Sequence, residues 1–395
     1  MSTLRQTREI VALNLRSIPQ RWGASLVIVV GIAGVVAVLV AMLSMSAGLT
    51  RTLGSTGRAD RAVVLRAGSN AELSSFIDRA LVTLIKQDPT IVRGRDGLPL
   101  ASGEIIVITE VARRGEGGST NVTLRGVEPN AFELRPELSI VEGRRMRPGL
   151  QELIVGRSAQ RQFEGLDVGA RLLLKGSYWT IVGAFESDGD GHESELWGDT
   201  ESVQGAFNRT GYSSVLAQLP DAAAFDGFKA RLQADPQLTV DVEREVDFFS
   251  EQAETLTFLI RLLTNVITAI MAFGALFGAL NTMYSAVSAR TREIGTLRAL
   301  GFGRVPVIAS VMAEALALAV LGGVIGALLA YVMFNGTSVS TLSPGSFTQV
   351  AFNFAVTPAL VLQGLLWALL IGFFGGLMPA LRAARIPVTE ALRAT

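Results

Sequence analysis

The chain has no cysteine, a single histidine at His192, and only 18% charged residues, against about 25% in ordinary globular proteins. Without cysteine there is no disulfide framework and no thiolate metal site. One histidine, with no HExxH or GxSxG, leaves the usual hydrolase chemistries without their nucleophile and base. No GxxxxGKS or GxxxxGKT phosphate loop occurs either, so catalysis within this chain is not expected. Aromatic residues are scarce at 7%. The positive mean hydropathy of +0.40 therefore comes from Ala, Val, Leu, Ile and 41 glycines, a mixture suited to helices that pack closely in lipid.

A bilayer core of about 30 Å takes about 20 apolar residues in a helix, and four segments supply them. They are residues 26–48, 256–284, 305–334 and 358–381, which predicts a membrane α-helical protein with four transmembrane helices. The first run is longer than the apolar stretch of about 7–15 residues in a signal peptide, so an uncleaved span is expected. Residues 1–25 before it read as an interfacial helix, with Leu4, Ile10, Leu13 and Leu15 toward lipid and arginines near head groups.

Charge gives the orientation. Residues 1–48 hold four arginines against one glutamate (+3), including Arg21, and residues 257–395 hold eight against three (+5), including Arg393 and Glu390 in the tail 382–395. The link 285–304 is basic, whereas 335–357 contains no Lys, Arg, Asp or Glu and reads as a loop on the opposite side. The positive-inside bias then puts both termini in the cytoplasm. The formal net charge of zero conceals a −8 balance in residues 49–256, a stretch long enough for a folded extracytoplasmic domain at 49–255. No nucleic-acid partner is expected.

Within that domain, alternation and turn residues predict strands at 62–65, 104–111, 122–127, 153–155, 171–175, 179–185 and 238–242. Helices are expected near 73–86, 158–163 and 222–234, giving a mixed α/β domain. The segment 247–256 runs into the second span and should continue its helix outward. Ser187–Glu195, SDGDGHESE, holds the only histidine, but EF-hand spacing wants glycine where Glu193 stands; it reads as a solvated acidic loop, with no metal site. GEGGST at 115–120 reads as a hairpin turn.

The link SAVSARTREIGTLRALGFGRV, Ser285–Val305, predicts an amphipathic cytoplasmic helix. Ile294, Leu297 and Leu300 recur at i, i+3 and i+6 and are expected on one face, with Arg290, Arg292 and Arg298 elsewhere. Topogenic charge alone explains the arginines but does not require an apolar face. Gly301 followed by Phe302 is the expected C-terminal stop.

This link and the span after it, SARTREIGTLRALGFGRVPVIASVMAEALALAVLGGVIGALLA, closely resemble the signature region of FtsX-like, MacB-type ABC-transporter permeases. NVTLRGVEPNAF, the EGRRM turn, ELIVGRSA and YWTIVGAF resemble the outer core domain of the same family. The resemblance implies a MacB-like periplasmic core with an inserted β-rich part near 119–212. It further implies that Arg290, Arg292, Glu293, Ile294, Leu297, Arg298, Leu300 and Gly301 dock on an ATPase subunit. In the MacB type an ATPase is fused; here ATP and Mg would be held by a separate ATPase chain, with no cofactor bound directly. The implied function is export by mechanotransmission in the bacterial inner membrane. The implied partners are a second permease copy or paralogue and a periplasmic adaptor. A lipoprotein-releasing permease, or FtsX-like signalling to cell-wall hydrolases, is the alternative. Unlike many relatives, the first span keeps only Val29-Val30-Gly31-Ile32 of a Thr-x-Leu-Gly-Ile start.

Glu314 lies roughly 14 Å of helix rise beyond Val305, inside the apolar span. An ionisable group there faces protein or water, and an arginine of the basic link is its expected partner; it reads as an anchor for the coupling region. Gly274/Gly278, Gly322/Gly326 and Gly372/Gly376 give GxxxG spacings for close helix approach, of which at most one is expected at a subunit interface.

Overall fold

Uncharged apolar runs become long helices here, and alternating segments become strands. The computed structural model describes residues 3–17, 22–115, 117–342, 348–387, 389 and 391. The chain begins with α1 (Thr3–Ser17), α2 (Trp22–Gly54), β1 (Arg61–Arg66), α3 (Arg79–Lys86), β2 (Ala101–Ala112), β3 (Ser119–Val127) and α4 (Ala131–Leu134). It continues through β4 (Ser139–Gly143), β5 (Glu152–Gly156), α5 (Arg157–Gln162), β6 (Arg171–Leu174), β7 (Ser177–Glu186), β8 (Leu196–Asp199), α6 (Thr200–Ala206) and β9 (Ser214–Gln218). After α7 (Ala224–Ala234) and β10 (Val240–Arg244) come α8 (Glu245–Ala289), α9 (Thr291–Ala299), α10 (Arg304–Phe334), β11 (Ser338–Leu342), β12 (Gln349–Asn353) and α11 (Pro358–Arg385). Of the residues named above, Arg21, Glu116, Glu390, Arg393 and the side chains of Leu4, Leu13 and Leu15 lie outside the described residues.

Two compact units divide the chain. A helical unit takes Met1–Ala47, Leu259–Thr337 and Phe354–Thr395; an α/β unit takes Gly48–Phe258 and Ser338–Asn353. Among the described residues, four helices are long and apolar enough to cross a membrane, within Ser25–Gly54, Glu245–Ala289, Arg304–Phe334 and Pro358–Arg385.

The helical unit is held by small and β-branched residues. Ile32 and Val36 of α2 pack with Ala315, Leu318 and Ala319 of α10, and with Ala368 of α11. Glycine lets backbones approach: a methyl group on Gly326 would sit 3.0 Å from Ala33 Cα, and one on Gly322 would sit 2.8 Å from Val29 O. Gly372 and Gly376 bring α11 onto Ala315 of α10 in the same way. Gly274 and Gly278 on α8 have no described residue within 4 Å of such a methyl group.

The α/β unit is built on ten strands in the order β10-β1-β9-β2-β3-β8-β5-β7-β4, with β6 paired to β7. Among the described residues only β3–β8 and β5–β7 are parallel. Long β2 joins two lobes, because Ala101–Glu104 pair with β9 while Ile105–Ala112 pair with β3. The second lobe therefore starts inside β2, ahead of residue 119. One lobe's core gathers Val64, Ile85, Phe228 and Val242, and the other gathers Val107, Leu124, Leu153, Trp179 and Ile181. GEGGST turns between β2 and β3, with Gly115, Gly117 and Gly118 at positive φ.

Two expectations are corrected. Residues 335–357 are not a plain loop: β11 and β12 form an antiparallel hairpin, Ser338 opposite Asn353, that belongs to the α/β unit. Thr348 Oγ1 meets Thr123 Oγ1 at 2.7 Å, and Ala351 N donates to Ser194 Oγ at 2.9 Å. SDGDGHESE is not solvated as a whole either, since among its residues only Asp188 and Gly189 are exposed. Ser187, Asp190, His192, Glu193, Ser194 and Glu195 are all buried: Arg125 of β3 holds Glu195, Ser158 donates to Glu193, and Ser194 receives the Ala351 amide. Among the described residues no group of three or more His, Cys, Asp or Glu is arranged to hold a metal ion.

Candidate functional site

The helical unit concentrates its buried charge where α8 ends. Arg290 leaves the helical conformation (φ −106°, ψ 10°), so the chain turns there and restarts as α9. Its guanidinium grips Glu314 of α10 with two prongs, Nη1 to Oε2 at 2.9 Å and Nη2 to Oε1 at 3.2 Å. Arg290 Nη1 also donates to Asn14 Oδ1 of α1, and Asn14 Nδ2 donates to Ser310 Oγ at 2.7 Å. Both charges are buried, where a paired, hydrogen-bonded arrangement avoids the several kcal/mol that an isolated ion costs. Together with Ile10, Ile294 and Val311, these groups line a cavity of about 420 Å³.

The sequence motif is thus divided between an inside and an outside. Ile294 is buried, with Gly295 beside it; a methyl group on Gly295 would lie 2.6 Å from Ala391 Cβ. Leu297 and Arg298 are half-buried, and Arg298 donates to the Ile386 carbonyl. Arg292, Glu293, Thr296, Ala299 and Gly301 are exposed, and Leu300 is 73% exposed. Ile294 and Leu300 therefore do not share a face: six residues at about 100° each place them far apart around the helix. Arg290, named both in the docking set and among the link arginines expected to pair with Glu314, turns its charge inward to Glu314. Ile10, expected to face lipid, is buried against this cluster instead.

The stop after α9 follows from local geometry. Gly301 takes φ +94°, and Phe302 N reaches Leu297 O at 3.2 Å while Gly301 N reaches Arg298 O at 3.1 Å. Those paired bonds close the last carbonyls of the helix in a Schellman motif.

A second cluster, in the α/β unit, was not legible from the sequence. Arg125 of β3 is buried among three carboxylates. Its Nε and Nη2 hold Glu195 at 2.8 and 2.9 Å, its Nη1 reaches Glu104 at 2.8 Å, and both Nη atoms hold Glu72 at 2.8 and 2.9 Å. Arg135 takes Glu104 from the other side at 2.6 and 3.0 Å. Arg61 joins Glu245, the first residue of α8, at 2.5 Å and Glu137 at 2.6 Å. Burial opposes ionisation of Glu104, but Arg135 and then Arg125 outweigh it and lower its pKa. At Glu195 burial likewise works against the charge, and Arg125 followed by His192 holds the carboxyl well below the usual range. Burial pushes Asp190 up to about 6.

The chain belongs to the FtsX-like, MacB-type family of ABC-transporter permeases: residues 24–235 match the MacB-like periplasmic core domain and residues 265–388 match the FtsX-like permease C-terminal domain. It is 24% identical over 330 residues to the macrolide export ATP-binding/permease protein MacB of Hahella chejuensis (strain KCTC 2396), covering 79% of this chain and 49% of that protein. Two uncharacterized ABC transporter permeases of Bacillus subtilis (strain 168) are also similar. YvrN is 22% identical over 425 residues, 98% of this chain and 97% of that one; YknZ is 26% identical over 208 residues, 51% and 49%. The chain spans about half the length of the MacB and YknZ relatives that it matches.

Proposed function

We propose that the chain is the permease subunit of a MacB-type transporter in the bacterial inner membrane, with both termini and α9 cytoplasmic and the α/β unit outside. An ATPase subunit carrying Mg and ATP docks on the exposed side of α9, through Arg292, Glu293, Thr296, Ala299 and Leu300. Two permease copies, or one copy and a paralogue, work as a pair. ATP-driven movement of the ATPases is passed to the α/β unit, which performs export with a periplasmic adaptor.

The observation that carries this reading is the continuity of α8, 45 residues from Glu245 to Ala289, ending one residue before α9. At 1.5 Å per residue it is roughly 65–70 Å long, more than the about 40–45 Å of a bilayer with its head groups. A single residue separates the end of this rod from the docking helix α9, and the rod's first residues belong to the α/β unit. Arg290 clamps the joint, so displacement of α9 is delivered to the rod and is not absorbed by a loose turn.

The test uses Arg292→Glu with Leu300→Asp, which alter exposed side chains and leave the Arg290–Glu314 pair alone. The tagged wild-type chain, purified from its native membrane, is expected to bring an ABC ATPase with it, and the double variant to lose that ATPase with an unchanged melting midpoint. Equal ATPase recovery and equal ATP turnover in the two preparations would remove α9 from the coupling mechanism.

A further inference from the structure

Three parts of the α/β unit converge on the 3-10 turn Gly191–Ser194. Gly191 N donates to Thr56 Oγ1, just past α2, at 2.8 Å. Ser194 Oγ accepts from Ala351 N of β12 at 2.9 Å. Between them His192 is buried, its ring edge-on to Trp197 of β8 at 5.5 Å and to Phe249 in the first turns of α8 at 5.4 Å. Its Nδ1 lies 3.2 Å from Glu195 Oε2, and its Nε2 is buried without a hydrogen-bond partner among the described residues.

We propose that His192 and Asp190 form a proton-operated latch: proton uptake as pH falls tightens the turn's hold on the start of α8 and on β12, and proton loss loosens it. The inference goes beyond the transport reading and does not require it.

The groups around the ring set the direction. Glu195 and Asp190 face it from its own segment, and Asp190 Oδ1 also accepts the His192 backbone N–H at 2.9 Å. Burial disfavours the imidazolium, but Glu195 and then Asp190 outweigh burial and raise the His192 pKa, with Arg135 opposing. Arg125 of β3 is spent on Glu72, Glu104 and Glu195. Glu193 is engaged by Ser187 N and Gly189 N. On α8, Glu245 is held by Arg61 and by Arg58 N, and β12 carries no ionisable side chain. His192 and Asp190 thus both have folded-state pKa values above their ordinary ones. Each adds stability that is complete below the ordinary value and is lost as pH rises through the raised one, so the two groups pull in the same direction. Glu195, held ionised by Arg125, remains the counter-charge throughout. The unpaired Nε2 leaves the imidazolium one hydrogen bond short, which favours a reversible latch over one permanently closed.

Because His192 is the only histidine, histidine-labelled full-length protein in nanodiscs, purified without a histidine tag, gives a single imidazole signal. Its NMR titration is expected to have a midpoint above about 6.5. Hydrogen exchange, corrected for intrinsic rates, is expected to slow in 189–197, 245–252 and 348–353 between pH 8 and pH 5.5, by roughly four-fold from Asp190 alone. His192→Gln should flatten that dependence, and Asp190→Asn should reduce it. A midpoint below 6.5, or wild-type protection that does not change with pH, would overturn the latch. So would His192→Gln protein that keeps the wild-type response. Should that variant fail to fold, the wild-type titration and Asp190→Asn decide the matter.

Discussion

Arg290, the residue at which α8 stops, and Glu314, in the third turn of α10, are joined by two hydrogen bonds of 2.9 and 3.2 Å while both are buried. The pair closes the corner from which α9 projects, and Asn14 of α1 completes it.

Breaking this pair from one side leaves an uncompensated buried charge, which costs about 3–5 kcal/mol. Glu314→Leu is therefore expected to lower the melting midpoint of the detergent-solubilised chain sharply, and Glu314→Gln to lower it less. Removing both charges, as Arg290→Met with Glu314→Leu, should recover most of the loss, since apolar replacements for a buried pair are often neutral. Single and double variants with the same midpoint would mean that the charge pairing contributes nothing.

Arg125 makes the opposite kind of prediction, one that depends on pH. Glu195 and Glu104 have folded pKa values below their ordinary ones. Their stabilisation is present above the ordinary carboxylate value and is lost as pH falls through the lowered one. In Arg125→Met the carboxylates lose that counter-charge, so the gap to wild type should be widest near pH 8 and shrink toward pH 4, where the variant's carboxyls take up protons. Melting midpoints across that range test it; a constant gap would mean that Arg125 acts by packing alone.

The two clusters differ in how far they could be read beforehand. Four spans were legible because long uncharged runs have few other uses, and an arginine of the basic link was the expected partner for Glu314. Strands such as β3 and β7 announced themselves by alternation. β8 and β9 did not, since LWGD and SVLAQ are short and carry no apolar–polar alternation. The hairpin β11–β12 is rich in Ser, Thr and Gln and passed for a loop, because its partners Thr123 and Ser194 are far away in sequence. SDGDGHESE misled for the same reason: composition suggests water, but Arg125, on a strand 70 positions before Glu195, supplies the charge that water would have balanced. The apolar positions of α9 were recognisable as a set, yet their division into buried Ile294 and exposed Leu300 required the helix to be seen against its neighbours.

The hairpin's seat rests on one hydroxyl in a way that can be isolated. Ser194→Ala removes the acceptor for the Ala351 amide, and an unsatisfied buried donor costs about 1–3 kcal/mol. Hydrogen exchange in full-length protein should quicken in 348–353 by roughly five-fold or more, while β1 and β9, remote in the strand order, remain unchanged. Unaltered exchange in 348–353 would show that the hairpin is held by its other contacts, with Thr123 and Thr348 the next pair to substitute.

The glycine pairs separate packing within the chain from packing between chains. Gly326 faces α2 with Ala33 Cα and Val36 Cβ each 3.0 Å from where its first side-chain carbon would lie, so Gly326→Leu must push α10 off α2 and is expected to abolish the folded monomer. Among the described residues Gly278 has nothing within 4 Å of that position, and Gly278→Leu should leave the melting midpoint of the single chain unchanged. Large apolar side chains surround it on α8, with Ile270, Phe273 and Phe277 mostly exposed, and close helix approach in lipid favours small residues. If two copies meet on this side of α8, Gly278→Leu is expected to halve the mass of the complex in mild detergent while each chain stays folded. Light scattering or native mass spectrometry reads this directly, and an unchanged dimer would place the contact elsewhere.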